Sequence, residues 1–269
     1  MTGTLAVKAE VCFSSLRLEE LQLKDKNIVV LDVLRAGTSV AVALSNGARE
    51  IIPVNNIESA VRIAAGMSGE VTLKAGERNA KMIEGFHLGN SPLEFTPEAV
   101  RGKTIVFLTT NGTAAVVKGR HARNLVVGGF VNLSRIVDFL ARLREDFIVI
   151  CAGKEHAFSM EDAVCAGRVL NTLDAATDID FAWNDSAVAA MSLDRIHGRA
   201  VLKMLKNSDH GRYLASIGHG ADLKVCAATD SVPVLPKLAG TVLKITAGSA
   251  LSLPGTGARE RPVPKKRGS

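Results

Sequence analysis

Aromatic side chains are scarce in this sequence of 269 residues. They make up 4% of it, although 47% of the residues are hydrophobic. The apolar part therefore consists mainly of alanine, valine, leucine and isoleucine, as is typical of buried parallel strands and the helices that cover them. No apolar run reaches the roughly 18 residues that a membrane-spanning helix needs, so we expect no membrane association.

Cysteine is also rare, and a secretory signal is missing. Cys12, Cys151, Cys165 and Cys226 are far apart and form no CxxC pair. The first residues contain no basic segment followed by an apolar one, as a signal peptide would. We therefore expect a cytoplasmic protein whose four thiols are reduced.

Positive charge is in excess only near the end of the chain. The formal net charge is +6, and residues 258–269 hold five basic groups and one acid, a local charge of +4. The rest is close to neutral, which argues against a nucleic-acid partner. Residues 252–269 are basic and rich in proline and glycine, so they are predicted to form a flexible tail.

Several well-known site motifs are absent from the sequence. It contains no Walker A loop, no GxGxxG after a strand, no HExxH and no zinc-spaced cluster of cysteine and histidine. Cys151 lacks the arginine six residues further on that a tyrosine-phosphatase nucleophile needs, because Ala157 stands there. These absences exclude the commonest nucleotide, zinc and cysteine-phosphatase sites.

Apolar strand-like runs alternate with helix-like runs along most of the chain. The strongest strand predictions are residues 27–33, 103–108 and 147–151. This order predicts a three-layer α/β/α domain over residues 1–251, with a parallel or mixed sheet. An alternative is two α/β lobes, about 1–145 and 146–251, with the site between them. Residues 223–227 are predicted, more weakly, as a strand.

The alternation stops between Ala75 and Pro92. Loops of this length inside compact domains are usually functional or disordered. Apolar residues such as Phe86 and Leu88 favour an ordered loop, and Glu77, Arg78 and Asn90 supply polar groups. We interpret the segment as a loop that carries these groups to a site. The alternative is a long connection with a sharp turn before Pro92.

Asp32 and Arg35 follow the first strong strand. Ligands of α/β sheets bind beyond the carboxyl ends of the strands. An acid that closes a buried apolar run is costly unless it is paired or binds a metal. Asp32 could therefore ligate Mg²⁺ or attack phosphorus as a nucleophile. It could equally pair with Arg35 and cap the next helix.

Two further strand ends carry polar motifs. Thr110, Asn111, Gly112 and Thr113 could present hydroxyl and N–H donors to an anion at a helix N-terminus, or form an ordinary N-cap. Glu161 and Asp162 follow the strand at residues 147–151, in the first turn of a helix that starts at Ser159. They could stabilise that turn or bind metal beside Asp32.

The remaining histidines and acids form no usable motif. His210 and His219 are next to glycines and are predicted to be loop residues rather than ligands. Asp185, Asp222 and Asp230 follow no pattern that points to a role.

Five of these motifs, in this order, resemble the 2-phosphosulfolactate phosphatase family (ComB-like). They are residues 32–36, 76–92, 109–113, 151–153 and 159–167, and the resemblance covers about residues 10–170. Residues 208–211, Asp222 and Asp230 resemble its C-terminal half more weakly. Two features depart from the expected pattern: Gly37 stands where a threonine is expected, and Lys154 and His156 where small or polar residues are.

The resemblance implies an Mg²⁺-dependent phosphatase that removes phosphate from (R)-2-phospho-3-sulfolactate in a coenzyme M route. It implies metal binding by Asp32, Glu161 and Asp162, and catalytic roles for Asp32, Arg35 and Glu77. Binding of the small phosphorylated acid is then expected at Arg78, Asn90, Ser91, Thr110, Asn111, Gly112 and Thr113.

Other functions are compatible with the same residues. One is a phosphatase or phosphotransferase that acts on another small phosphorylated acid. Another is a module that binds an anion without catalysis. A homo-oligomer is also compatible with the alanine- and valine-rich composition, although no residue pattern specifies one.

Overall fold

The computed structural model describes residues 6–16, 18–67, 71–155 and 157–245. The predicted tail, residues 252–269, lies outside them. Strands form where the sequence has continuous apolar runs: every residue of Asn27–Leu31 and of Thr104–Leu108 is buried. Such runs cannot be solvated on either face, so they occupy the interior of a covered sheet.

The strands that the structure describes form one sheet of eleven. In chain order they are β1 (Val7–Cys12), β2 (Asn27–Leu31), β3 (Glu50–Val54), β4 (Thr72–Arg78), β5 (Lys81–Met82), β6 (Thr104–Leu108), β7 (Asn124–Gly128), β8 (Phe147–Cys151), β9 (Phe181–Trp183), β10 (Pro236–Ala239) and β11 (Val242–Ile245).

The α-helices connect and cover these strands. They are α1 (Glu20–Leu23), α2 (Ala36–Ser45), α3 (Ile57–Ala65), α4 (Pro97–Val100), α5 (Gly112–Lys118), α6 (Leu133–Leu143), α7 (Met160–Ala176), α8 (Asp185–His197), α9 (Val201–Asn207), α10 (Asp209–Ser216) and α11 (Asp222–Cys226).

The sheet contains two parallel blocks joined by a hairpin. One block has the strand order β4-β6-β3 and the other β7-β2-β8-β1-β9. The hairpin β10–β11 lies between them and pairs antiparallel with β7 and with β3. Three antiparallel pairings (β7 with β10, β10 with β11 and β11 with β3) separate the two blocks, so the strands of one block run opposite to those of the other. The carboxyl ends of β2 and β6 nevertheless lie near one another. The contact between Gly112, just after β6, and Asp32, just after β2, shows this.

Both faces of the sheet are covered, as the three-layer prediction requires. Alternate residues of β2 point to opposite sides: Val29 and Leu31 join a core with α6, α7 and α8, whereas Ile28 and Val30 join one with α2 and α5. A third core packs α3 against β3 and β6. The fold class is therefore confirmed, with a mixed sheet. None of the described helices is long and apolar enough to cross a bilayer.

Two structural predictions were wrong. Residues 223–227 are mostly helical, because α11 spans Asp222–Cys226 and buries Leu223 and Cys226 on one side. The segment from Ala75 is not a loop at its start: β4 continues to Arg78, and residues 79–80 turn the chain into β5 with positive φ angles. The division at about residue 145 stays a prediction; strands from both sides of it pair within one sheet, as β2 does with β8.

Candidate active site

A small cleft opens where the ends of β2, β4, β6 and β8 come together. Its walls also include residues from α10. The lining residues are Asp32, Leu34, Arg35, Glu77, Asn79, Ala80, Asn90, Thr109, Thr110, Asn111, Lys154, Glu155, His210 and Tyr213. Six of the candidate site residues predicted from the sequence therefore line the same cleft: Asp32, Arg35, Glu77, Asn90, Thr110 and Asn111.

Asp32 is one of the buried acids of this cleft. Its Oδ1 accepts a hydrogen bond from the Ala36 N–H at 3.0 Å, at the start of α2. Its Oδ2 faces Gly112, where a Cβ would lie only 2.4 Å away. The pKa of Asp32 is raised to about 6: burial is the main cause, the charge of His210 and the Ala36 N–H oppose it, and the charges of Glu77 and Glu161 add to it. A nearby cation would relieve the cost of this charge.

Asp162 lies deeper, in the first turn of α7, and is held by the backbone. Its Oδ1 accepts from the Val33 N–H at 2.9 Å and its Oδ2 from the Gly153 N–H at 3.0 Å. Burial, and then the charges of Asp32 and Glu161, raise the pKa of Asp162 well above its ordinary value. These bonds fix the ends of β2 and β8 relative to each other. Metal binding by Asp162 stays a prediction.

Glu161 faces His210 in the adjacent cavity, which His210 lines together with the cleft. His210 Nδ1 lies 3.3 Å from Glu161 Oε1, and the Glu161 side chain is 2% exposed. Burial alone would raise the pKa of Glu161, but the hydrogen bond and the positive charge of His210 lower it below its ordinary value. The prediction that His210 is a loop residue was wrong. It lies in the first turn of α10, and only the tertiary fold brings it to Glu161.

Arg35 is oriented by Asp222, an acid to which the sequence assigned no role. Arg35 Nη1 donates to Asp222 Oδ2 at 2.7 Å, and Arg35 Nη2 donates to the Ala80 carbonyl at 3.1 Å. Ser91 Oγ donates to the other oxygen of Asp222 at 2.7 Å. His219 Nδ1 lies 3.5 Å from Asp222 Oδ2. The guanidinium group has five N–H donors, so this pairing leaves others for a ligand.

Glu77 joins the β4–β5 turn to the end of β6. Its carboxylate accepts from the Ala80 N–H at 2.7 Å and from the Thr110 N–H at 2.8 Å. Thr110 Oγ1 donates to it as well, at 3.2 Å. Gly76 permits this approach, since a Cβ there would lie 1.9 Å from the Leu108 carbonyl oxygen. These bonds give Glu77 a positioning role, and its acid/base role stays a prediction.

The turn after β6 is organised by two threonines. Thr113 Oγ1 accepts from the Thr109 N–H at 2.9 Å, and Thr109 Oγ1 accepts from the Thr113 N–H at 3.1 Å. Helix α5 starts at Gly112, so the predicted helix N-terminus at this motif is present. Asn111 is the residue before the helix, but its side chain makes no capping hydrogen bond. Its amide is therefore free to face the cleft.

The predicted substrate-binding residues of the long segment are placed differently. Asn90 is buried and lines the cleft, and its carbonyl oxygen accepts from Ser39 Oγ at 2.8 Å. Ser91 is buried, does not line the cleft, and donates a hydrogen bond to Asp222. Arg78 is exposed at the end of β4 and is not among the residues that line the cleft. Direct contact of Arg78 with a ligand stays a prediction.

Oxygen atoms suited to a hard cation collect on the cleft wall. Within the described part of the chain, no three His, Cys, Asp or Glu side chains form a ready metal site. Mg²⁺ commonly uses only one or two carboxylates and completes its shell with water and substrate oxygens. Besides Asp32, the Oδ1 atoms of Asn90 and Asn111 are buried there without a hydrogen-bond partner among the described residues. The donors present therefore fit Mg²⁺.

The cysteines take no part in this chemistry. Cys151, Cys165 and Cys226 are buried free thiols, and Cys12 is partly buried. Burial raises the pKa of Cys151 well above its ordinary value and that of Cys226 to about 12. Thiols in such surroundings stay protonated and unreactive near neutral pH, which agrees with the exclusion of a cysteine nucleophile.

Comparison with known proteins agrees with this geometry. A family model described as 2-phosphosulpholactate phosphatase matches residues 12–241. A probable 2-phosphosulfolactate phosphatase of Caldanaerobacter subterraneus subsp. tengcongensis is 37% identical over 227 residues, which cover 84% of this chain and 93% of that protein. A protein of the same name from Thermotoga maritima is 38% identical over 217 residues, 81% of this chain and 91% of that protein.

Proposed function

This chain belongs to the 2-phosphosulpholactate phosphatase family, whose relatives are named as probable 2-phosphosulfolactate phosphatases, and we propose that it hydrolyses (R)-2-phospho-3-sulfolactate to 3-sulfolactate and phosphate with Mg²⁺. One observation carries the proposal. The same cleft joins oxygen atoms suited to a cation, at Asp32, Asn90 and Asn111, to the N–H donors of Arg35. Transfer of a phosphoryl group needs both kinds of group at one point.

Asp32 and Glu161 are the carboxylates that would hold the metal, with the amide oxygens of Asn90 and Asn111 beside them. Asp162 would keep the ends of β2 and β8 in place through its two backbone hydrogen bonds. The chemistry that Mg²⁺ supplies when bound is neutralisation of charge on the phosphoryl oxygens. The raised pKa of Asp32 supports this proposal, because the free carboxylate is costly in this site.

Arg35 and the Thr110–Thr113 turn would bind the phosphate. Asp222 fixes the guanidinium plane, so its remaining donors need not be ordered when substrate arrives. The Thr113 N–H already donates to Thr109 Oγ1, so the N–H of Gly112, the first residue of α5, is the helix N–H left for the phosphate, since it has no acceptor inside the helix. Glu77 holds this turn through Thr110 and so sets the position of the phosphate site.

His210 is placed to move the proton that the leaving alcohol needs. With Nδ1 directed at Glu161, the other ring nitrogen is available to the substrate oxygen. Asp32 either serves only as a ligand or attacks phosphorus directly. Labelled phosphate trapped on the protein, and lost in Asp32→Asn, would indicate a phosphoenzyme; single-turnover release without a trapped species would indicate attack by water.

The proposed setting is a coenzyme M route in the cytoplasm. The free state of all four cysteines supports a reducing compartment. The cleft is small and its walls carry many polar and charged side chains, which favours a short acid over a nucleotide or a phosphoprotein as the substrate.

Release of inorganic phosphate tests the proposal directly. We would supply racemic phosphosulfolactate, phospholactate and phosphoglycolate, each with Mg²⁺ and with EDTA. We expect metal-dependent release that is fastest from the sulfonated ester. Faster release from another ester would support phosphatase activity but reject phosphosulfolactate as the substrate. Release that does not depend on metal would reject the proposed role of Mg²⁺. Phosphate transferred to an added acceptor without release would identify a phosphotransferase.

A further inference from the structure

Lys154 extends into the cleft from the loop between β8 and α7. The loop is tightly closed: the Ala157 N–H donates to the Lys154 carbonyl at 2.8 Å, and the Lys154 N–H donates to the Ala157 carbonyl at 3.3 Å. Gly153 allows this closure, since its φ is 76° and a Cβ there would lie 2.3 Å from the Ala157 oxygen. The backbone of Lys154 is therefore fixed at the cleft wall.

The positive charge of Lys154 is not neutralised within the cleft. Among the described lining residues, the basic side chains are those of Arg35, Lys154 and His210. Arg35 is paired with Asp222 and His210 faces Glu161. Lys154 forms no ion pair within 4.0 Å among the described residues, although Glu155 lines the same cleft. It is thus the cation whose charge remains available to a ligand.

Tyr213 holds the lysine in position without removing its charge. The Lys154 Nζ lies 5.4 Å from the centre of the Tyr213 ring. The Tyr213 hydroxyl donates to the Asn79 carbonyl at 3.0 Å, which ties α10 to the β4–β5 turn. A cation on an aromatic face is weakly stabilised but stays charged. The ammonium group is therefore preorganised between two walls of the cleft.

We propose that Lys154 binds a second acid group of the substrate, a sulfonate or carboxylate on a carbon next to the phosphate ester. Lys154 would then select phosphate esters of hydroxy acids over phosphates of uncharged alcohols. This inference rests on the proposed function, since it takes the phosphate to lie at Arg35 and the Thr110–Thr113 turn. Arg35 and Lys154 line the same small cleft from different strand ends, so one short substrate can contact both.

The test compares two classes of substrate in Lys154→Met and Lys154→Arg. Phosphosulfolactate and phospholactate carry the second acid group, and p-nitrophenyl phosphate does not. Loss of one charge-assisted contact should lower kcat/KM of Lys154→Met for the acid esters roughly 10- to 100-fold more than for p-nitrophenyl phosphate. The loss should lie mainly in KM, and Lys154→Arg should recover most of it. Lys206→Met, which removes an exposed lysine of α9 outside this cleft, is the matched control.

Two results would overturn the proposal: equal losses for both classes of substrate, or no loss for either. A wild-type protein that releases phosphate from none of the esters would instead reject the proposed function. Calorimetric binding of sulfolactate to the wild type and to Lys154→Met then tests the lysine separately. Weaker binding by the variant would support the acid-group site, and equal binding would reject it.

Discussion

Asp222 Oδ2 accepts a hydrogen bond from Arg35 Nη1 at 2.7 Å, and the two residues are 187 positions apart in the sequence. Both side chains are 2% exposed. The pair ties the helix α11, near the end of the described chain, to the first strand end of the cleft. It determines where the guanidinium group points, and several properties of the protein should depend on it.

Asp222→Ala should strongly destabilise the protein, because it leaves the Arg35 charge buried without its partner. Breaking a buried pair costs about 3–5 kcal/mol, measurable as the change in the free energy of urea unfolding. Arg35→Met combined with Asp222→Leu should recover much of this stability but no activity. The control is Glu145→Gln, which breaks the exposed pair with Arg123 and should cost less than about 1 kcal/mol. Equal effects of the buried and exposed changes would contradict this account.

Asp32→Asn should stabilise the metal-free protein at neutral pH while abolishing activity. Burial raises the folded-state pKa of Asp32 to about 6 from its ordinary 3.8. The folded state therefore keeps this proton as pH rises from about 4 to 6 while the unfolded state loses it, and stability falls through that window. Above pH 6 the buried, ionised Asp32 lowers the free energy of unfolding by its full amount, about 3 kcal/mol.

The measurement is urea unfolding in EDTA at pH 4 and at pH 7.5. We expect the stabilisation by Asp32→Asn to be large at pH 7.5 and small at pH 4. Asp174→Asn, which changes an exposed acid of α7, serves as the control and should show neither effect. The same change in stability at both pH values would count against a buried, ionised Asp32.

Gly112→Ala should damage the site through volume rather than backbone strain. The new Cβ would lie 2.4 Å from Asp32 Oδ2 and 2.9 Å from the Ala36 Cβ, so one of them must move. We expect kcat/KM to fall at least about tenfold, and stability to fall by about 1–3 kcal/mol, as overpacking typically costs. Gly66→Ala, whose nearest contacts would be 3.7 Å away, should change neither value appreciably. Full activity in Gly112→Ala would show that Asp32 can move without consequence.

His210→Gln should lower kcat for alkyl phosphates with little change in KM. Loss of a general acid typically costs 10²- to 10⁴-fold. The loss should be much smaller for p-nitrophenyl phosphate, whose leaving group needs no proton. His197→Gln, in the adjacent cavity that His210 also lines, is the control. Equal losses for both substrates would mean that His210 acts only by positioning Glu161.

The strands and their carboxyl ends could be predicted because they depend on local pattern. Buried apolar runs identified β2, β6 and β8, and the polar residues that follow β2 and β6, such as Asp32 and Thr110, line the cleft. A continuous run needs no distant information to mark a covered strand. The same reasoning placed Asp32 and Thr110 near one another, whereas Glu77 was assigned to a loop and in fact reaches the cleft from β4.

The partners of these residues could not be predicted from local pattern. Asp222 and His210 contribute through contacts with residues far away in the sequence, and neither lies in a motif whose spacing implies a ligand. Residues 223–227 alternate too little to separate a short helix from a strand, since five residues complete little more than one helical turn. From the sequence, Lys154 was only a departure from the family pattern. Its proposed role could be inferred only from the structure, in which the neighbouring cations Arg35 and His210 are paired with acids.

The hairpin β10–β11 has a consequence for how the protein is made. It is the last part of the sheet in the described sequence, yet it lies in the middle and is the hydrogen-bonded link between β3 and β7. During synthesis, both parallel blocks leave the ribosome before the strands that join them. The sheet can therefore become continuous only after nearly the whole described chain has been translated, and until then β3 and β7 present two open edges to the cell.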